Sequence, residues 1–200
     1  MSATKDLKQD HLTLRRVRDI TQICSERLYS GENIPIEDIE IISVVIEEFV
    51  DAFHHGKEEK AYFPETKDKN GFAEDIRKFL IEHELGRRIA KMLLRELKEW
   101  KDKREGRDND SNSGSDDDIN IISREPVARF LKSYAVFISD HTGKEDKFFD
   151  LIEEKGSISK EENQMLMKHY ESCKNNVGGS ARIEQMLKLI DYLEDREWMK

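Results

Sequence analysis

The 200-residue chain has only 3 prolines and 10 glycines, so it carries few turn signals and little sign of strands. Its two cysteines, Cys24 and Cys173, form no close-spaced pair. That excludes a disulfide framework and a thiolate metal site, and leaves both as expected buried, reduced thiols. No apolar run approaches the roughly 18 residues of a membrane span, and the stretch Met1 to Asp6 lacks the apolar segment of a signal peptide. The expectation is a cytoplasmic protein with no membrane partner. A basic surface is lacking too: the formal net charge is −9, which argues against a nucleic-acid partner.

What remains is charge and aliphatic periodicity. Charged residues make up 38% and hydrophobic ones 36%, the composition of amphipathic helices with salt-bridged outer faces. The spacing predicts an all-α chain. A first helix runs from about Lys5 to Tyr29, with Leu7, His11, Leu14, Val17, Cys24 and Leu28 on one stripe. A second spans about Pro35 to Tyr62, with Ile41, Val45, Ala52, His55 and Glu59 along one edge. A third spans about Gly71 to Asp102, and places His83 on its apolar face. A fourth, about Glu125 to Glu154, steps without a break through Tyr134, Phe137, His141, Glu145 and Phe148.

Between the third and fourth helices lies an insert over residues 104–120 whose core, Arg104 to Asp118, has no apolar side chain. Such a segment has no means of burying itself, and reads as a flexible loop. After Gly156, Ser159 followed by Glu162 predicts a capping box opening a short helix, and Gly178-Gly179 separates it from a last amphipathic helix ending near Trp198. The whole predicts an up-down-up-down four-helix bundle over residues 5–155, with two additional C-terminal helices over 156–200 packing on it.

Two segments repeat one pattern. His55 and Glu59 stand four residues apart, as do His141 and Glu145, each pair in a Gly-Lys-Glu context with an aromatic exit. Residues at i and i+4 share a helix face, so an imidazole and a carboxylate there can hold one ion between them. His11 and His83 each sit alone in an apolar stripe. A single such histidine is most simply a hydrogen-bonded core residue. Four of them on four seams, two with a carboxylate, are not explained by packing, because unpaired buried charge is costly. One buried dinuclear metal site accounts for them, and its donors suit iron, manganese or zinc.

The other polar residues near these pairs receive different readings. His54 is rotated about 100° from His55 on an α-helix and falls outside the ligand row, and His169 has no carboxylate partner. Glu58 and Glu84 are expected to face solvent or the surroundings of the ligands. Tyr134, two turns before His141, either hydrogen-bonds near the site or packs in the core. Neither His-Glu-x-x-His nor Glu-x-x-His occurs, which argues against a zinc protease and a ferritin-like carboxylate site.

The segments Asp10-His11, His54-His55-Gly56-Lys57-Glu58-Glu59 with Phe63-Pro64, Glu82 to Arg87, and His141 to Asp146 together resemble the haemerythrin-like, or HHE cation-binding, domain. The resemblance implies two non-haem irons joined by an oxo or hydroxo bridge, with manganese or zinc as alternatives. It assigns His11, His55, Glu59, His83, His141 and Glu145 as ligands, and dioxygen, peroxide or nitric oxide as the small-molecule partner. There is one departure. Oxygen-carrying haemerythrins have a His-x-x-x-His pair on the third helix, whereas here Arg87 stands four residues after His83, so one imidazole is missing from the expected set. Arg87 is then expected to contact a bound anion or a ligand carboxylate, or to form an exterior salt bridge.

Three functions follow from this reading. The first is a protein that binds dioxygen or a related molecule, for sensing or storage. The second is a di-iron oxidoreductase acting on peroxide or nitric oxide, and the third a scaffold that folds fully only with metal bound. Because imidazoles bind metal only when neutral, metal is expected to be lost as pH falls toward and below about 6.

Overall fold

The computed structural model describes residues 2–105 and 116–200, with helices and no strand among them. Helix α1 is Ala3–Tyr29, opened by the Ser2 side chain accepting from the Lys5 amide. Gly31, at φ 89°, reverses the chain after it. Helix α2 is Ile36–Val45, and it does not continue as an α-helix: Ile46–His55 and Glu58–Tyr62 are π-helical, before a short α3 at Phe63–Thr66. Helices α4 (Ala73–Glu105) and α5 (Asp116–Glu154) complete the bundle. Of the loop expected over 104–120, residues 106–115 lie outside the described residues. The remainder is helical, so α5 begins nine residues before the expected Glu125.

The order of residues along each helix gives the topology. The apolar interior forms two clusters. One contains Leu14 to Leu28 of α1, the segment Ile36 to Phe53, Leu93 to Trp100 of α4 and Val127 to Ile138 of α5. The other contains Ala3 and Leu7, Ala61 to Phe63, Phe72 to Phe79, and Phe148 to Ile152. Successive helices meet these clusters in opposite order, so the bundle runs up, down, up, down as the sequence predicts. Between the clusters every helix places polar residues: His11, then His54, His55 and Glu58, then His83, then His141 and Glu145, all buried.

The two added helices pack along α1 and the second-helix segment. Helix α6 (Lys160–Asn176) starts with the predicted capping box, Ser159 and Glu162 each bonding the other's backbone amide, and sets Leu166 and Tyr170 on the smaller cluster. Gly178 and Gly179 take φ of 102° and 76° between the two helices. Helix α7 (Gly179–Glu194) packs Met186, Ile190 and Leu193 on the larger cluster. Its tail is pinned by Asp38, 1% exposed, which accepts 2.8 Å hydrogen bonds from Arg196 Nε and Trp198 Nε1. No helix among the described residues is long and apolar enough to cross a membrane.

Candidate metal centre

Five imidazoles and two carboxylates meet in the polar layer. Among the described residues two groups are arranged to hold a cation, His55 with Glu58, His83 and His141, and His11 with His54, Glu58 and Glu145. Within each group the donor atoms lie within 4.8 Å of one another. His11, His55, His83, His141 and Glu145 are thus brought together as the spacing predicts. Glu59 is not: the carboxylate at the centre is Glu58, 0% exposed, and the second histidine of the pair, His54, is there as well.

The reason lies in the π-helical turns. Hydrogen bonds from i to i+5 widen each turn, as between the Gly56 amide and the Asp51 carbonyl, so each residue advances by less than the α-helical 100°. A stripe extrapolated from Ile41 and Val45 at α spacing therefore drifts out of register, and Ala52, expected inside, is exposed. His54 and His55 instead flank the inward direction, one facing each group. The sequence did hold the signal in doubled form, since His54 and Glu58 have the same i, i+4 spacing as His55 and Glu59. Only the π-helical register chooses between them. The imidazole missing from α4 is likewise supplied by the paired histidines, so the set has five.

The centre is built so that its inner atoms have nothing to bond. Nε2 of all five histidines and both oxygens of Glu58 and Glu145 are buried without a hydrogen-bond partner. Leaving buried polar groups unmatched costs about 1–3 kcal/mol each, so nine such atoms facing one another fit a bound cation. Their separations agree. Glu58 sets Oε1 3.5 Å from His54 Nε2 and Oε2 3.3 Å from His83 Nε2. Glu145 sets Oε2 3.4 Å from His11 Nε2 and Oε1 3.3 Å from His141 Nε2. Donors about 2.1 Å from a shared ion stand roughly 3.0–3.4 Å apart, so the spacing fits coordination. Each carboxylate offers one oxygen to either side.

Behind the imidazoles stands a second layer that sequence reasoning largely missed. Every Nδ1 faces its own carboxylate: His11 Asp146 at 2.8 Å, His54 Asp10 at 3.1 Å, His55 Asp51 at 3.3 Å, His83 Glu59 at 2.7 Å and His141 Glu82 at 2.9 Å. A carboxylate there accepts a hydrogen bond from Nδ1–H, keeping the proton on that nitrogen and aiming the Nε2 lone pair inward. Cations stand behind these acids in turn. Arg15 pairs with Asp146, Lys57 with Asp10, Lys144 with Glu82, and Arg87 with both Asp51 and Glu59. Arg87 therefore touches a carboxylate of this layer, one of its expected roles, and also Glu84, which is 62% exposed.

The charges respond to this layering. Burial would raise the Glu145 carboxyl, but the neighbouring His141, His11 and His83 imidazoles hold it well below its ordinary range. Burial works against Glu59 and Asp146 too, and their histidine partners outweigh it and lower both. His55, buried and facing His83 and His141, is pushed well below the usual imidazole value. Tyr134 does not enter the centre: it lines a cavity on the outer side of His55, its ring tilted 54° to that of Phe137.

No curated protein and no solved structure matches the chain. The family model described as the hemerythrin HHE cation binding domain matches residues 2–152, which takes in all four helices that line the centre. The chain therefore belongs to the hemerythrin HHE cation-binding family.

Proposed function

We propose that this centre holds two irons sharing Glu58 and Glu145, and that the chain binds dioxygen, or a related molecule such as peroxide or nitric oxide, at that pair. His11 and His54 would serve one ion, and His55, His83 and His141 the other. The observation that carries the reading is the set of nine inward-facing buried donor atoms with no other partner. When bound, the ions supply Lewis acidity and an electron store. The protein's own contribution is preorganisation: the five outer carboxylates fix each ring's tautomer, and Phe149, Phe63 and Phe137 lie against His11, His83 and His141 and keep water from them.

The test is cation content of anaerobically purified protein, followed by its absorption as air is admitted. Two irons per chain, with near-ultraviolet bands that appear in air and reverse on deoxygenation, are expected. Both His54→Ala and Glu58→Ala should abolish the bands. Irreversible bleaching with turnover of peroxide or nitric oxide would move the chain to the enzyme reading. One cation per chain, unaffected by either substitution, would overturn the dinuclear assignment.

A further inference from the structure

Outside the polar layer, between α2 with its π-helical continuation and α4, lies a cavity of about 230 Å³ that reaches the His55 ring. Its wall is largely apolar, built by Ile46, Ala90 and Leu93, with the exposed Leu94 at the rim. One polar side chain breaks that wall. Tyr134 is 2% exposed and lines the cavity. A phenol set in an apolar wall can offer its hydroxyl to a bound molecule's polar atom.

The rim decides the charge of what fits. It carries Glu47 and Asp51 against Arg87 and Lys91, two acids and two bases. Arg87 is already shared among Asp51, Glu59 and Glu84, so it offers little to an incoming anion. Only one Asp51 oxygen is engaged, by His55 and Arg87, leaving the other to accept from a hydroxyl. The cavity is larger than an apolar void of roughly 150 Å³ that takes a benzene ring, which leaves room for a substituent.

We propose that this cavity binds an uncharged molecule of about one ring, mostly apolar and bearing a single hydroxyl or carbonyl oxygen, with that oxygen hydrogen-bonded by Tyr134 next to His55. A monocyclic phenol satisfies both polar ends, accepting from Tyr134 and donating toward Asp51. Of the ion ligands only His55 lines this cavity, and its occupation does not require that the dinuclear reading hold.

Calorimetric titration of the full chain with p-cresol, toluene and p-toluate, on zinc-loaded and on chelator-treated protein, tests this. Binding of p-cresol is expected in at least one of the two states, with toluene about tenfold weaker for want of the hydrogen bond and p-toluate excluded. Tyr134→Phe, which removes one of the two hydrogen bonds, should weaken p-cresol several-fold toward toluene without changing toluene itself. Ala90→Phe, which fills the apolar end, should remove both, with thermal melts confirming that each variant folds. Absence of p-cresol binding in both states, p-toluate binding more tightly, or p-cresol binding untouched by Tyr134→Phe would overturn the proposal. Cation content, measured on the same samples, reports separately on the dinuclear reading.

Discussion

The His55 and His83 rings stack with centroids 3.8 Å apart and planes 16° from parallel, although they come from different helices. Two imidazoles so placed, with His141 edge-on to both, make a three-nitrogen set without a second histidine on α4. The position one turn beyond His83 is free to hold Arg87, which braces the carboxylates behind His55 and His83.

Neighbouring glutamates should therefore differ in kind. Glu58→Gln removes a charge that faces both groups, and is expected to reduce bound cation from two per chain to one or none. Glu59→Gln weakens the hydrogen bond to His83 Nδ1 and the Arg87 ion pair, both outside the inner donor set, and should leave the stoichiometry at two while lowering affinity by about 10–100-fold. Elemental analysis and competition with a chelator measure the two effects. Equal loss in both variants would remove the distinction between inner and outer carboxylate.

Gly86 lets α4 and α5 approach. A Cβ there would stand 2.5 Å from Phe137 Cε1, and Phe137 stacks on His141 with centroids 5.1 Å apart. Gly86→Ala must push the ring and with it the imidazole. A destabilisation of about 1–3 kcal/mol is expected in denaturant unfolding, despite alanine's better helix propensity, together with weaker cation retention. A gain in stability would show that Phe137 has room to move.

Lys57 is 1% exposed, with its amino group held between Asp6 and Asp10 over the rings of Phe53 and Tyr170. Asp10 depends on it: burial would raise that carboxyl, and the hydrogen bond from His54 together with the Lys57 charge keeps it low. Replacing the lysine strands these acids. Lys57→Met should cost about 3–5 kcal/mol and loosen α6, whose Tyr170 lies on the ammonium, as hydrogen exchange over 160–176 would report. Adding Asp6→Asn should restore part of the loss. No recovery in the double variant would mean that packing, not charge, sets the penalty.

The cation-free protein should be most stable near pH 6.5. Burial opposes protonation of His11, but the hydrogen bond to Asp146 and the facing Glu145 carboxylate prevail and raise it from 6.5 to about 9. His83 is raised as well, against burial, by Glu145, Glu58 and Glu59. Groups raised on folding stabilise fully below their unfolded value, and that contribution disappears as pH climbs from about 6.5 through 9. His55 has the opposite sign: burial keeps it neutral in the fold, so stability declines as pH drops below 6.5. Thermal melts with chelator present should thus fall on both sides. Cation-loaded protein should lose the alkaline decline, because ions replace the protons, and loading at pH 7–8 should release protons to an indicator dye. A flat cation-free profile from pH 6.5 to 9.5 would contradict the ion pairs described.

The sequence by itself determined the bundle, its up-down order and most of the centre, because α1, α4 and α5 keep regular α-helical periodicity and their apolar stripes carry His11, His83, His141 and Glu145 into the interior without further information. The tertiary structure alone decided between His54 with Glu58 and His55 with Glu59, and its answer took members of both pairs. Local spacing could not separate them, since both pairs share one interval and the π-helical turns rotate the register only where the surrounding helices accommodate a wider coil. It also decided the outer layer: Asp10, Asp51, Glu82 and Asp146 look like surface charges in the sequence, and become partners of the imidazoles through contacts that mostly cross between helices.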